Sequence, residues 1–175
     1  MSAKISSLLV GGGSAGCVLA NRLSSDTTKS VLLVEAGWND KRNIFAHAPG
    51  MPHVNMGSSL SNWGFNTEPQ QHLANRKLWY PRGRLLGGSS QLNSMVYIRG
   101  NPVDYDRWVG LTGDEKFGYE AVLALYKKSQ SAHGYGDDEY NGRTGYLHTS
   151  KLDLDKLMYG DLANAFINAG IQAGK

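Results

Sequence analysis

The stretch Leu8-Leu9-Val10-Gly11-Gly12-Gly13-Ser14-Ala15-Gly16 decides the fold of this chain. Its three apolar residues predict a short strand, and the glycines that follow fit the spacing G-x-G-x-x-G. A helix is predicted next, since Ala15, Leu19 and Leu23 recur every four residues and share one helix face. The apolar run at 31–34 predicts a second strand, buried on both faces of a parallel sheet. The order strand, glycine turn, helix, strand indicates a βαβ unit.

The three glycines of the G-x-G-x-x-G spacing each have a chemical role. Gly11 permits a tight turn out of the strand, Gly13 lets the backbone approach a pyrophosphate, and Gly16 lets the helix pack closely. The N-terminus of the helix offers free N–H groups and a partial positive charge to phosphates. Glu35 follows the second strand, about 20 residues after the turn, where a carboxylate can accept hydrogen bonds from ribose hydroxyls. The pattern predicts a dinucleotide site, with a plain glycine turn as the alternative.

Composition excludes several classes of protein. The 175 residues suggest one domain, and a net charge of +3 with scattered lysines and arginines gives no electrostatic case for nucleic acid binding. The single cysteine excludes an internal disulfide and a cysteine-built metal site. His47 and His53 have no partner at a ligand spacing, so no metal site is predicted. Without a signal peptide or an apolar run of ~20 residues, we expect a soluble cytoplasmic protein, with peripheral membrane contact left open.

A second informative stretch, Gly-Arg-Leu-Leu-Gly-Gly-Ser-Ser-Gln-Leu-Asn-Ser-Met-Val-Tyr-Ile-Arg-Gly, occupies residues 83–100. Apolar residues on both sides argue against a flexible linker, so we interpret it as backbone held close to something flat or charged. Arg82 and Arg84 face either phosphate or solvent. The region 38–61 is predicted to be an irregular excursion. The aromatic residues from Trp63 onward either pack this loop against a core or stack on a ligand.

The remaining chain predicts helices and one strand. Asn101 is a natural N-cap, followed by Pro102 in the first helical position and Asp104 in the first turn. This predicts a helix through Trp108. Further segments are a helix at 119–130, a strand at 145–149 and a helix at 161–173.

Together the two motifs resemble the glucose–methanol–choline (GMC) oxidoreductase family, flavoproteins that oxidise alcohols. The first motif is VGGGSAGCVLANRLS at 10–24 with VEAG at 34–37, and the second is PRGRLLGGSSQLNSMVYIRGNPVDYDRW at 81–108. The second fits the first signature of the family from Gly83 to Asp106. The choline and aliphatic-alcohol dehydrogenase branch is the most similar.

The resemblance implies a set of residues that bind FAD. They are Gly11, Gly13, Ser14, Ala15 and Gly16 at the pyrophosphate, Glu35 and Ala36 at the adenosine ribose, Gly87, Gly88, Asn93, Ser94, Met95 and Val96 on the flavin side, and Trp63 near the cofactor. Some members attach FAD covalently through a histidine two residues after the paired serines. Leu92 stands there in this chain, so FAD is expected to be noncovalent.

The resemblance also implies an architecture. We expect α/β structure, the N-terminal part of a doubly wound (Rossmann-like) FAD-binding domain with an incomplete sheet and a loop-rich lid excursion. The predicted segments are a βαβ unit at 1–37, the excursion at 38–82, the flavin-facing loop with the helices after it at 83–130, and the start of a linker to a substrate domain at 131–175. Because members of the family are much longer, the chain is expected to be an N-terminal fragment.

The predicted function is the FAD-binding portion of an oxidoreductase that acts on the CH–OH group of choline or a primary alcohol. Hydride would pass to flavin N5, and the electron acceptor is unknown. The catalytic histidine of the family lies near the C-terminus, and no histidine here matches it, so no catalytic residue is predicted. The alternatives are a nicotinamide-dependent dehydrogenase, which the first motif alone would allow, and a non-catalytic nucleotide-binding remnant.

Overall fold

A computed structural model describes residues 4–39, 45, 51–151, 153 and 160–174. The chain forms two compact units, Met1–Val96 and Tyr97–Lys175, and the boundary falls within the predicted segment 83–130. Residues 40–44 and 46–50 of the predicted excursion, including His47, lie outside the described residues. The described helices include none that combines the length and the hydrophobicity needed to cross a membrane.

The first unit begins with the predicted βαβ arrangement. Strand β1 spans Ser7–Val10, helix α1 spans Ser14–Ser24 and strand β2 spans Val31–Val34. The two strands are parallel, with Ser7 opposite Val31 and Val10 opposite Val34. The Gly11 N–H donates to the Val34 carbonyl at 2.7 Å and extends this pairing into the glycine turn. The predicted α/β class and the order of these three elements are confirmed.

The prediction that β2 is buried on both faces is wrong for this chain. Side chains of a strand alternate between two faces, and α1 packs against the pair β1–β2 from one side. Leu32 and Val34 point the other way and are 41% and 45% exposed. The apolar run therefore marks a strand with two apolar faces, of which the described residues cover one.

The excursion contains regular structure that the sequence did not predict. Helix α2 spans Pro52–Gly57, and strands β3 (Phe65–Asn66) and β4 (Trp79–Tyr80) form an antiparallel hairpin. Pro52 occupies the first turn of α2, where its missing N–H would have no intrahelical acceptor. Pro52 and Gly57, two of the residues that indicated an irregular chain, thus begin and end a short helix.

Residues 83–92 are held by buried leucines and by a hydrogen bond to α2, in which Asn55 Nδ2 donates to the Gln91 carbonyl at 3.4 Å. Leu85 and Leu92, near the two ends of this segment, are 2% and 3% exposed. Asn62 is buried, and its Oδ1 accepts from the Arg82 N–H at 3.0 Å while its Nδ2 donates to the Met56 carbonyl at 2.6 Å. Gly88–Gln91 forms one turn of 3-10 helix. This segment is therefore an ordered part of the unit, as predicted, and is unlike a flexible linker.

The second unit contains the predicted helices and a two-stranded parallel sheet. Its elements are α3 (Pro102–Thr112), α4 (Tyr119–Ser129), β5 (Gln130–His133), β6 (Leu147–Ser150) and α5 (Gly160–Gln172). The predicted cap is confirmed, because Asn101 Oδ1 accepts from the Val103 N–H at 3.0 Å.

Strand β5 was missed because its sequence is polar. Gln130 is fully buried, and its side chain is held by several hydrogen bonds. Its Nε2 donates to the Tyr135 hydroxyl at 3.0 Å and the Thr149 hydroxyl at 3.0 Å, and its Oε1 accepts from Arg99 at 2.6 Å. A buried network of this kind leaves no hydrophobic period for a sequence reading to detect.

Candidate cofactor site

The three signature glycines of the β1–α1 turn differ in backbone conformation and in the space around them. Gly11 has a φ of +95°, a conformation that favours glycine. A Cβ on Gly16 would collide with the Gly11 carbonyl oxygen, so α1 can approach β1 only with glycine there. A Cβ on Gly13 would meet no described atom within 4 Å. Gly13 therefore borders open space, which is the cradle that a pyrophosphate needs for close approach to the backbone.

The N-terminus of α1 points at the same open space. Gly13 is the N-cap residue, and the first intrahelical hydrogen bond runs from the Cys17 N–H to the Gly13 carbonyl at 2.9 Å. The N–H groups of Ser14, Ala15 and Gly16 belong to the first turn, where a helix supplies no acceptor. These donors and the partial positive charge of the helix end suit an anion.

Glu35 lies at the end of β2 and is half-buried. Its Oε2 accepts from the Gly12 N–H at 2.6 Å, and its Oε1 accepts from the Gly37 N–H at 2.9 Å. A carboxylate oxygen can accept a second hydrogen bond, so both oxygens keep capacity for a hydroxyl donor. Ala36 beside it is exposed. Glu35 thus binds the backbone of the glycine turn as well as offering acceptors to a ligand.

The predicted flavin-facing loop, residues 83–96, docks on the glycine turn. The Gly87 N–H donates to the Gly12 carbonyl at 2.7 Å. Gly87 and Gly88 have φ values of +94° and +60°, and a Cβ on Gly88 would lie 2.8 Å from the Gly13 Cα. The two sequence motifs therefore meet in space, and backbone lies against backbone at the junction.

A cleft of about 610 Å³ opens over this junction. Seven of the predicted site residues line it: Gly11, Gly13, Ser14, Ala15, Gly16, Trp63 and Gly88. The other predicted residues, Glu35, Ala36, Gly87, Asn93, Ser94, Met95 and Val96, are not among the described residues that line it.

The segment Asn93–Val96 is exposed, and it carries an unusual backbone conformation. Asn93 Oδ1 accepts from the Met95 N–H at 2.8 Å, and Met95 has a φ of +56°. A non-glycine residue in this conformation is uncommon and is found disproportionately at functional sites. The preceding residue, Leu92, is buried.

Several residues that line the cleft were not predicted from the sequence. They are Leu9, Val10, Leu19, Phe65, Arg82, Gly83 and Ser89. Phe65 could have been found, because it lies two residues after Trp63 and side chains two apart share a strand face. The two rings are nearly parallel, at 3°, with centroids 5.9 Å apart.

The structure distinguishes the two arginines before the paired glycines. Arg82 lines the cleft, and its guanidinium lies 3.8 Å from the centroid of the Tyr80 ring. Arg84 instead donates from Nη2 to the Ser59 carbonyl at 2.8 Å and lies 5.4 Å from the Trp63 ring. Of these two arginines, Arg82 is therefore the one that lines the cleft among the described residues.

Histidines do not contribute to the described lining of the cleft. In the second unit, His133 Nε2 and His148 Nδ1 form a hydrogen bond of 2.8 Å. Within the described residues, no group of three His, Cys, Asp or Glu side chains is placed to hold a metal ion.

Comparison with known proteins gives consistent matches. Residues 5–174 match the sequence model of the family described as GMC oxidoreductase. An alcohol dehydrogenase (acceptor) of Pseudomonas putida is 45% identical over 167 residues, which are 95% of this chain and 29% of that protein. An oxygen-dependent choline dehydrogenase of Photobacterium profundum is 43% identical over 95% of this chain and 28% of its own length.

The fold is similar to that of an oxidase whose structure has been solved. The crystal structure of pyridoxine 4-oxidase from Mesorbium loti aligns with a TM-score of 0.86 and 36% identity over 97% of this chain and 32% of that chain. The chain thus spans less than a third of the length of these relatives.

Proposed function

Because the chain belongs to the GMC oxidoreductase family, we propose that it is the FAD-binding part of an oxidoreductase that acts on the CH–OH group of an alcohol. The observation that carries the proposal is the junction of the two motifs. A glycine turn and helix N-terminus suited to a pyrophosphate lie against a second glycine-rich loop, and one cleft opens over both. A nicotinamide-binding βαβ unit explains the first motif but not this second loop.

The residues around the junction fit FAD. The turn from Gly11 to Gly16 would hold the pyrophosphate, and Glu35, with Ala36 beside it, would accept hydrogen bonds from the adenosine ribose. The flavin-facing loop, through Gly87, Gly88 and 93–96, would lie along the flavin with Trp63 nearby. The positive charge of Arg82 at the cleft suits the same dianionic pyrophosphate.

FAD, when bound, supplies the hydride acceptor for oxidation of a carbinol carbon. The part of the reaction that this chain performs is binding and orientation. Open backbone at Gly13 would admit the cofactor, and the stacked rings of Trp63 and Phe65 line the same cleft. The hydroxyl proton must pass to a base. We assign no base within the described residues, since no histidine lines the cleft.

Choline or a primary alcohol is the proposed substrate class, by analogy with the relatives named above. FAD is proposed to be noncovalent. Leu92, at the position where some members of the family carry a linking histidine, has no nucleophilic atom, and its side chain is buried. The electron acceptor is left open by the residues of this chain.

The proposal is tested on the complete product of the gene that contains this sequence. We expect a yellow protein with visible flavin absorption, and reduction of an artificial dye that depends on choline or a primary alcohol. A protein that lacks flavin, or one that needs a nicotinamide cofactor, would overturn the proposal. A protein that binds FAD but reduces no dye with any alcohol would favour the non-catalytic alternative.

A matched variant tests the assignment of Glu35. Glu35→Ala removes an acceptor from partly buried ribose hydroxyls, so FAD affinity should fall about 5- to 150-fold. Glu120→Gln is the control, because Glu120 is an exposed residue of α4 in the other unit. Equal FAD affinities of wild type and Glu35→Ala would remove Glu35 from the site.

A further inference from the structure

We propose that Glu35 is also a positioning residue for the flavin-facing loop. The inference rests on the proposed FAD site, and it assigns to one carboxylate a task besides binding ribose. Its basis is that both oxygens of Glu35 bind backbone segments that contact residues 84–88 of the loop.

The first connection runs through Gly12. Glu35 Oε2 accepts from the Gly12 N–H at 2.6 Å, a short distance typical of a hydrogen bond to a charged acceptor. The Gly12 carbonyl in turn accepts from the Gly87 N–H at 2.7 Å. The carboxylate therefore fixes the Gly11–Gly12 peptide, and this orients the next carbonyl toward the loop.

Gly12 has little freedom to move between these partners. It is buried, and a Cβ on it would lie 3.0 Å from Leu86 Cδ1 and 3.3 Å from Glu35 Oε2. A side chain at this position would be in tight contact with both Leu86 and the carboxylate, so one of them would have to shift. The contact between turn and loop thus depends on where Glu35 holds Gly12.

The second connection runs through Gly37. Glu35 Oε1 accepts from the Gly37 N–H at 2.9 Å. A Cβ on Gly37 would collide with the Arg84 carbonyl, so the two backbones are in direct contact. The next residue, Trp38, accepts at its carbonyl from the Leu86 N–H at 3.0 Å. The second oxygen therefore holds the other segment on which the loop rests.

The two tasks of Glu35 respond differently to a glutamine. The side-chain carbonyl of glutamine can still accept from a ribose hydroxyl, but its NH₂ group only donates. In Glu35→Gln, one of the two backbone N–H groups, on Gly12 or Gly37, must face that donor. Ribose binding can survive this change, whereas the anchoring of the loop cannot remain complete.

Hydrogen exchange of the cofactor-free complete gene product tests the positioning role without relying on activity. In Glu35→Gln we expect amides of residues 84–92 to exchange about tenfold faster than in wild type, the effect of a lost hydrogen bond. Amides of α3 and α4 should be unchanged, and the control Glu120→Gln should match wild type throughout. If the amides of residues 84–92 in Glu35→Gln exchanged at the wild-type rate, the proposal would be overturned.

Binding of ligand fragments gives the second measurement. If Glu35 positions the loop, Glu35→Gln should lower the affinity for FAD by a larger factor than the affinity for ADP. The reason is that ADP lacks the flavin, which the loop is proposed to contact. Equal factors for FAD and ADP would indicate a ribose contact alone and overturn the positioning role. If wild type binds neither ligand, the proposed function fails, while the exchange experiment still decides the structural coupling.

Gly12→Ala perturbs the same junction while Glu35 is intact. This variant provides the test if Glu35→Gln does not fold. Its added methyl would lie 3.0 Å from Leu86 Cδ1 and 3.3 Å from Glu35 Oε2, so we expect these neighbours to shift. We expect the same acceleration of exchange at 84–92. Unchanged exchange in a folded Gly12→Ala protein would contradict the proposal.

Discussion

Gly88 lies so close to Gly13 that a Cβ built on Gly88 would stand 2.8 Å from the Gly13 Cα. These residues are far apart in sequence and belong to different motifs, and Gly88 cannot carry a side chain at this contact. A real Cβ almost never approaches another carbon at that distance. The contact is therefore a joint between two backbones, and it determines how the flavin-facing loop meets the glycine turn.

Gly88→Ala should damage this joint. The new methyl overlaps Gly13, and the φ of +60° at Gly88 is itself unfavourable for alanine. We expect a loss of about 1–3 kcal/mol in the free energy of unfolding and weaker FAD binding, measured by urea unfolding and by FAD titration. Gly57→Ala is the control, since its Cβ would meet no described atom within 4 Å. Equal stability of the two variants would contradict the prediction.

The sequence predicted the βαβ unit and the glycine turn because these depend on local patterns. A strand, a G-x-G-x-x-G spacing and a helix face are all encoded by neighbours in sequence. Phe65 and Ser89 were missed as cleft residues, and Arg82 was left open between phosphate and solvent, because their placement depends on how the hairpin and the flavin-facing loop fold back on the turn. The helix α2 and strand β5 were missed for a different reason. Proline begins the first, and buried polar hydrogen bonds hold the second, so neither has the expected apolar period.

Alanine at Gly13 and at Gly16 should separate cofactor binding from folding. Gly13 has an ordinary φ of −74°, and a methyl there would project into open space, so the apoprotein should keep its stability. That methyl would occupy the approach of the pyrophosphate, and FAD affinity should fall about 5- to 150-fold.

Gly16→Ala should instead destabilise the apoprotein, because its methyl collides with the Gly11 carbonyl oxygen. Thermal unfolding without FAD, together with FAD titration, distinguishes the two variants. Wild-type FAD affinity in Gly13→Ala would mean that the pyrophosphate does not lie over the turn.

Acid precipitation of the complete holoenzyme should release its flavin. The reason is that Leu92 offers no atom for a covalent bond, and the residues that line the cleft include no histidine, cysteine or tyrosine in the described part of the chain. Yellow colour should appear in the supernatant, and the pellet should be colourless. Flavin that stays with the pellet through repeated washing would show a covalent bond formed by another residue.

A pair of tyrosines, one on α3 and one on α4, should make the free energy of unfolding depend on pH in the alkaline range. The Tyr105 and Tyr126 hydroxyl oxygens are 2.6 Å apart, and this hydrogen bond, with a smaller contribution from burial, raises the pKa of Tyr105 above its usual value of 10.0. A raised pKa means that the folded state favours the protonated phenol. The stabilisation is complete below about pH 10 and is lost as the pH rises through the folded-state pKa.

Tyr126→Phe should lower the free energy of unfolding by about 0.5–1 kcal/mol at pH 8, and by less at pH 11. Urea unfolding at the two pH values measures the difference. Tyr146→Phe is the control, because Tyr146 is 81% exposed. An equal loss for Tyr126→Phe at both pH values would show that the hydrogen bond is not coupled to ionisation.

Residues 1–175 alone should not oxidise an alcohol and should bind FAD weakly. General-base assistance is typically worth ~10²–10⁴-fold, and no histidine is among the described residues of the cleft. In addition, β1 and β2 form a two-stranded parallel sheet whose outward side chains are exposed, with Leu8 at 60% and Val10 at 82%. A parallel sheet is normally covered on both faces, so this apolar surface favours aggregation and a marginal fold.

We would express this polypeptide, follow its thermal unfolding with and without FAD, and assay dye reduction by choline and primary alcohols beside the complete gene product. A cooperative transition that FAD stabilises, together with alcohol-dependent dye reduction by the 175 residues, would contradict this prediction.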